Sequence, residues 1–167
     1  MIKLMYSSNI MPTNHRASGF SESLTIANQF GELARVASWL EQMTQLYQLA
    51  ERTVFKLDLV LNEALPNIIS YAYPDQLNHD IMIRLENRDN DVVLEIIDDG
   101  MAFNPFAATS LSDQLSLESS SINGRGIHLI KSFTDAQDYQ RINNTNIMRV
   151  TIHKSPESSK HLEASLA

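Results

Sequence analysis

Three stretches of this 167-residue chain carry a large aliphatic side chain at every second position, and they constrain the fold more than any other feature. They are Ile81, Ile83 and Leu85; Val92, Leu94 and Ile96; and Met148, Val150 and Ile152. Side chains two apart share one face of a strand, so each stretch has a single face to bury. A sheet with one apolar face needs a second layer over it. Two segments supply that cover. Leu33, Val36, Leu40, Met43 and Tyr47 recur at three- and four-residue steps, as do Val54, Leu57, Val60, Ala64 and Ile68 within residues 51–71; both patterns read as amphipathic helices.

The punctuation fits this division. "SLTIA" (23–27) reads as a short first strand, and "NRDND" (87–91) as the turn of a hairpin. Pro74 ends the second helix, because the residue before a proline is driven out of the helical region. Pro66 lies inside that helix, where it removes one backbone bond, so a kink or an opened turn is expected there. "GRGIHLIKSF" (124–133) reads as a glycine turn opening a helix. "QDYQRI", "NNTN" and "IMRVTIHK" read as a closing hairpin. The order β-α-α-β-β-loop-α-β-β predicts an α+β, two-layer sandwich: a mixed, mostly antiparallel sheet with helices on one face. Residues 1–22 read as a polar arm, 23–154 as one domain and 155–167 as a polar tail. The serine-rich stretch 107–123 reads as a loop without packing of its own.

Composition removes several classes. The absence of cysteine excludes disulfides, thiol catalysis and zinc–thiolate sites. A formal charge of −7 argues against direct nucleic-acid binding, which calls for a basic patch. No apolar run reaches the length of a membrane span, and the N-terminus lacks the build of a signal peptide, so no membrane is expected and a cytoplasmic location is.

Three short motifs carry chemistry, and each has an ordinary alternative. Glu63 and Asn67 lie four apart and share a helix face; the amide oxygen could serve a magnesium ion and the carboxylate a proton, or both could merely mark the solvent boundary. Magnesium takes hard oxygen ligands, most of them from water and phosphates, so one neutral oxygen suffices from the protein. Asp98-Asp99-Gly100 closes the second alternating stretch, that of Val92, Leu94 and Ile96; Asp98 could accept a hydrogen bond from an exocyclic amine, or the trio could be a plain turn. Gly124-Arg125-Gly126 leads into a helix whose free N–H groups suit an anion, although a lone GxG is weak and lacks P-loop spacing. His79 reads as a surface residue and Trp39 as helix core or interface.

In this order the motifs are more specific than they are singly. "NEALPNIISYAYPD", "IIDDGMAFNPF" and "GRGIHLIKSFTD" resemble the GHKL ATPase superfamily, and within it the anti-sigma-factor serine kinases of bacterial partner-switching systems. The resemblance covers residues 23–154. It implies ATP and Mg²⁺ as cofactors, with Asn67 coordinating the metal and Glu63 as general base. It implies that Asp98 holds the adenine amine, with Gly100 and Ala102 beside the base. Gly124, Arg125 and Gly126 would lie at the phosphates and 107–123 would form an ATP lid. Ala102 stands where the wider superfamily often has glycine, and Ile147-Met148 where it often has a Gly-Thr pair. The implied partners are a STAS-domain anti-anti-sigma protein as serine acceptor and a sigma factor or other regulator, with pairing of two copies through the first strand into a homodimer. An ATP-controlled binding module without transfer is the alternative. A detached histidine-phosphorylating domain is a third reading, disfavoured by the missing histidine-bearing helical hairpin.

Overall fold

The computed structural model describes residues 19–107 and 123–154. Strand β1 (Phe20–Ala27) leads through a short 3₁₀ turn (Phe30–Glu32) to helix α1 (Leu33–Tyr47) and helix α2 (Glu51–Tyr71). The hairpin β2 (Asp80–Asn87) and β3 (Asp91–Asp98) follows, then helix α3 (Asn123–Phe133) and the hairpin β4 (Ala136–Ile142) and β5 (Thr145–His153). The strands form one sheet in the order β1-β2-β3-β5-β4, and all four pairings are antiparallel, so the expected two-layer α+β sandwich is present without a parallel pair.

The alternation decides which face is covered. Ile81, Ile83 and Leu85 of β2, Val92, Leu94 and Ile96 of β3 and Val150 and Ile152 of β5 are closed to solvent and pack with Leu57, Val60 and Leu61 of α2. Trp39, with Val36, Leu40 and Met43, belongs to the same core. Burying a Leu or Ile side chain contributes about 1.5–3 kcal/mol, so this layer is the main source of stability. Register extends the inward rows beyond the apolar residues: Ile26 pairs with Ile81, Ile81 with Asp98, Asp98 with Asn146 and Asn146 with Arg141. Polar side chains thereby arrive at one end of an apolar face.

The β4–β5 turn uses Asn143 and Asn144 at φ 49° and 64°, the left-handed pair that a two-residue hairpin with native twist requires. β1 begins at Phe20, three residues before the strand read from the sequence. Helix α2 continues through Pro66 to Tyr71. The lost N–H is the one that would have reached the carbonyl of Asn62, whose residue is exposed, so water can take its place. Gly124, Arg125 and Gly126 lie within the first turn of α3 rather than in a turn before it. Residues 108–122, nearly all of the expected lid, together with 1–18 and 155–167, fall outside the described residues.

Candidate functional site: a cavity between two helices and the sheet

A cavity of about 220 Å³ opens between α2, α3 and the inner face of β3, β5 and β4. Asn67, Asp98 and Ala102 line it, and its remaining wall is largely apolar, including Ile68, Ile127, Ile130 and Met148. Such a mainly apolar wall with a few aimed polar groups is the usual form of a small-molecule site.

Asp98 is only 6 % exposed. Its Oδ1 accepts hydrogen bonds from the Gly100 backbone N–H at 2.9 Å and from Asn146 Nδ2 at 2.8 Å. Both donors are neutral and both meet the same oxygen, which leaves Oδ2 for a ligand in the cavity. Burial pushes the Asp98 pKa up, against the opposing pull of the Asn146 and Gly100 donors. Gly100 is required by close approach: a Cβ there would fall 2.5 Å from that of Ala72, and the chain is pinned nearby by Met101 N–H donating to Ala72 O at 2.9 Å.

Asn146 belongs to none of the sequence motifs and directly precedes Ile147-Met148. It is 5 % exposed and fully used. Its Nδ2 also donates to Met101 O at 3.0 Å, and its Oδ1 accepts from Tyr139 Oη at 2.7 Å and Arg141 Nη1 at 2.6 Å. Arg141 Nη1 reaches Gly100 O at 3.0 Å as well. The signal lay in register: pairing Val92 with Ile152, Leu94 with Val150 and Ile96 with Met148 carries on to Asp98 with Asn146.

Glu63 and Asn67 sit on one half-buried face of α2. Asn67 Nδ2 donates to the Glu63 backbone carbonyl at 2.8 Å. That bond fixes the amide's orientation, since only nitrogen can donate, and it leaves Oδ1 free to accept. Gly126 packs directly against Glu63: a Cβ at 126 would overlap the Glu63 carboxylate. Glycine at that position therefore lets α3 approach the acid. Arg125 is exposed. Of these residues Asn67, Asp98 and Ala102 line the cavity, Gly100 donates to Asp98, and Glu63 lies one helical turn from Asn67 and against Gly126 without lining the cavity itself. The single amide oxygen of Asn67 would suit a magnesium ion whose other ligands are phosphate and water oxygens.

His79 is not a plain surface residue. Its Nδ1 faces Asp99 Oδ1 at 3.0 Å, its Nε2 faces Asp75 Oδ2 at 3.0 Å, and its ring stacks on Tyr73 with centroids 4.4 Å apart. The two carboxylates hold its pKa above the usual histidine value, Asp99 contributing most. This cluster ties the segment after α2 to the residue next to Asp98.

Among the described residues an antiparallel sheet lies under three helices with a cavity at its polar end, and comparison with known proteins identifies the class of domain as an ATP-binding one. The Histidine kinase-like ATPase domain family matches residues 26–152. The chain is also 34 % identical over 120 residues to a serine/threonine-protein kinase, BtrW, of Bordetella bronchiseptica, covering 72 % of this chain and 84 % of that protein. The chain belongs to the histidine-kinase-like ATPase family, and the kinase likeness falls on the branch that its motifs resemble. ATP is its nucleotide, and its activity is that of a kinase or ATPase. Among the described residues no helix is long and apolar enough to cross a membrane.

Proposed function

We propose that the protein is an ATP-dependent protein-serine kinase of the cytoplasm that phosphorylates a STAS-type anti-anti-sigma partner and sequesters a sigma factor or equivalent regulator. The observation that supports this reading is Glu63 one helical turn from Asn67, in a cavity-lining helix whose cavity Asp98 also lines. In this reading Asp98 Oδ2 accepts from the adenine amine, Gly100 and Ala102 flank the base, and Asn67 Oδ1 holds Mg²⁺. The metal's chemistry is to neutralise phosphate charge. The backbone N–H groups of Gly124, Arg125 and Gly126 at the start of α3 face the phosphates.

Glu63 takes the proton of the acceptor serine hydroxyl as its Oγ bonds to the γ-phosphorus. The bond from that phosphorus to the β,γ-bridging oxygen breaks, and ADP leaves with the electron pair. A serine hydroxyl is a poor nucleophile unaided, so a positioned carboxylate is the group this transfer needs. A homodimer completes the proposal: β1 is the edge of the sheet, with β2 its one partner among the described residues, and an unpaired edge invites a second copy.

The test is incubation with labelled ATP and Mg²⁺ together with STAS-domain proteins from the same genome. The wild type labels one of them. Glu63→Gln keeps ATP affinity and loses transfer by roughly 10²-fold or more, the size of a lost general base. Asn67→Ala loses both Mg²⁺-dependent binding and transfer. A Gln variant that transfers at the normal rate removes Glu63 as the base. ATP binding with no transfer by the wild type leaves the binding-module reading in place of the kinase.

A further inference from the structure

The seam between α2 and α3 leads from solvent to Glu63, and its composition differs from the rest of the surface. The two helices run antiparallel. At one end the Phe55 ring meets the Phe133 ring edge-on, with centroids 5.7 Å apart; at the other Gly126 packs against Glu63. Leu59, four residues from each of Phe55 and Glu63, therefore falls level with Leu129. Phe55 is 55 % exposed and Leu129 38 %, while Leu59 and Phe133 are half-buried. Eight residues of helix separate Phe55 from Glu63, so this apolar strip is about 12 Å long and ends at the acid.

Cations without protein partners bracket the strip. Arg35, Arg84, Arg88 and Arg149 are held in ion pairs and Arg141 bonds to Asn146 and Gly100. Among the described residues, Arg52 and Arg125 are exposed and have no such partner. By helical spacing Arg52 shares the stripe of Phe55, Leu59 and Glu63, and Arg125 that of Leu129 and Phe133. The exposed acids Glu51 and Asp58 fall on the adjoining face of α2. On a chain of net charge −7, two guanidinium groups without protein partners thus stand at the two ends of one apolar strip, with Glu51, Asp58 and Glu63 as the nearby acids.

We infer that this seam is the docking surface for the protein acceptor, and that it takes an acceptor segment with apolar side chains flanked by carboxylates. The inference rests on the proposed kinase reading, in which a protein hydroxyl must be brought to Glu63. Exposed aromatic and arginine side chains are the groups over-represented at protein interfaces, and exposed apolar strips mark contact sites. Charge complementarity selects an acidic partner segment over a basic one.

The experiment uses the full chain, with STAS-domain proteins from the same genome as acceptors and labelled ATP with Mg²⁺. Arg52→Glu and Leu129→Asp lie outside the nucleotide site, and Leu129→Met is the conservative control. For an acceptor labelled by the wild type, each of the first two variants raises the acceptor KM by about tenfold or more, the scale of a lost hot-spot contact. The kcat and the ATP affinity are unchanged, and Leu129→Met behaves as the wild type. An unchanged acceptor KM overturns the docking surface while the kinase reading stands. A shift in ATP affinity gives the strip to the chain's own nucleotide machinery, and conversion of a dimer to a monomer by Leu129→Asp gives it to a second copy; either result overturns the inference. Failure of the wild type to label any such acceptor overturns the kinase reading and the inference with it.

Discussion

Glu95 and Asp98 stand three residues apart on β3, both nearly closed to solvent, at 8 % and 6 % exposure. An odd spacing puts them on opposite faces of the sheet, and there their surroundings diverge. On the face away from the helices Glu95 has a cation on each oxygen: Arg84 Nη1 at 3.3 Å from Oε2 and Arg149 Nη2 at 2.6 Å from Oε1. Arg149 continues to Asp138 at 3.6 Å, so a ladder of alternating charge crosses the open face. Asp98, on the covered face, has neutral donors on one oxygen and a cavity before the other. Burial alone does not mark a functional acid. The donors do: cations on both oxygens make a structural ion cluster, while neutral donors on one oxygen leave a charge that a ligand can satisfy.

The sharpest way to break this distinction is Asp98→Ala. Removing the carboxylate that lines the cavity leaves the ligand's donor unpaired, a loss of roughly 2–4 kcal/mol in ATP affinity. Folding stability is expected to fall by less than that, because the variant relieves the burial cost of ionised Asp98 while stranding the Gly100 N–H and one Asn146 N–H. Calorimetric titration together with thermal melting reads both, and unchanged affinity in a folded variant removes Asp98 from the site.

Glu95→Ala should do the reverse. ATP affinity stays at the wild-type value and stability falls by about 1–2 kcal/mol. Breaking a buried ion pair can cost 3–5 kcal/mol, but the Arg84 and Arg149 side chains are 46 % and 39 % exposed and their stranded charges can hydrate. Urea unfolding measures the difference. A loss of ATP affinity comparable with that of Asp98→Ala would erase the contrast.

The smallest effect belongs to His79, the half-buried counterpart beside the Asp98 end of β3. Its pKa is raised in the folded state, first by Asp99 and then by Asp75. The stability it contributes is complete below the ordinary histidine value and is lost as pH rises through the raised one. His153 is likewise raised, first by its hydrogen bond to Asp91. The test is therefore the melting temperature of wild type minus that of His79→Gln against pH. That difference should shrink as pH climbs from slightly acid to slightly alkaline, and a flat difference denies the latch any protonation dependence.

The parts of the fold legible in the sequence are those set by period. The inward rows of β2, β3 and β5, the apolar stripes of α1 and α2 and the Asn143-Asn144 turn follow from local spacing. The start of β1 did not, because Phe20, Ser21, Glu22 and Ser23 are all exposed and an edge strand with two wet faces has no alternation to read. Glu63, Asn67 and Asp98 could be picked out as candidates because each sits in a short motif. Asn146, Tyr139 and Arg141 could not, because their relation to Asp98 exists only after strands distant in sequence pair. The contacts of His79 are hidden from the sequence for the same reason: Asp99 is twenty residues away and reaches it only through the β2–β3 hairpin.

The central claim is that Asp98 offers a bare acceptor oxygen to the amine of adenine. The most direct measurement is calorimetric titration of the wild type with ATP and with inosine triphosphate, which differ at the base by an amino donor against an oxo acceptor. A site that hydrogen-bonds a donor rejects an analogue presenting an acceptor, so ATP should bind tighter by roughly 10²-fold or more, and Asp98→Ala should collapse the ratio toward one. Equal affinity of the wild type for the two nucleotides would contradict the account.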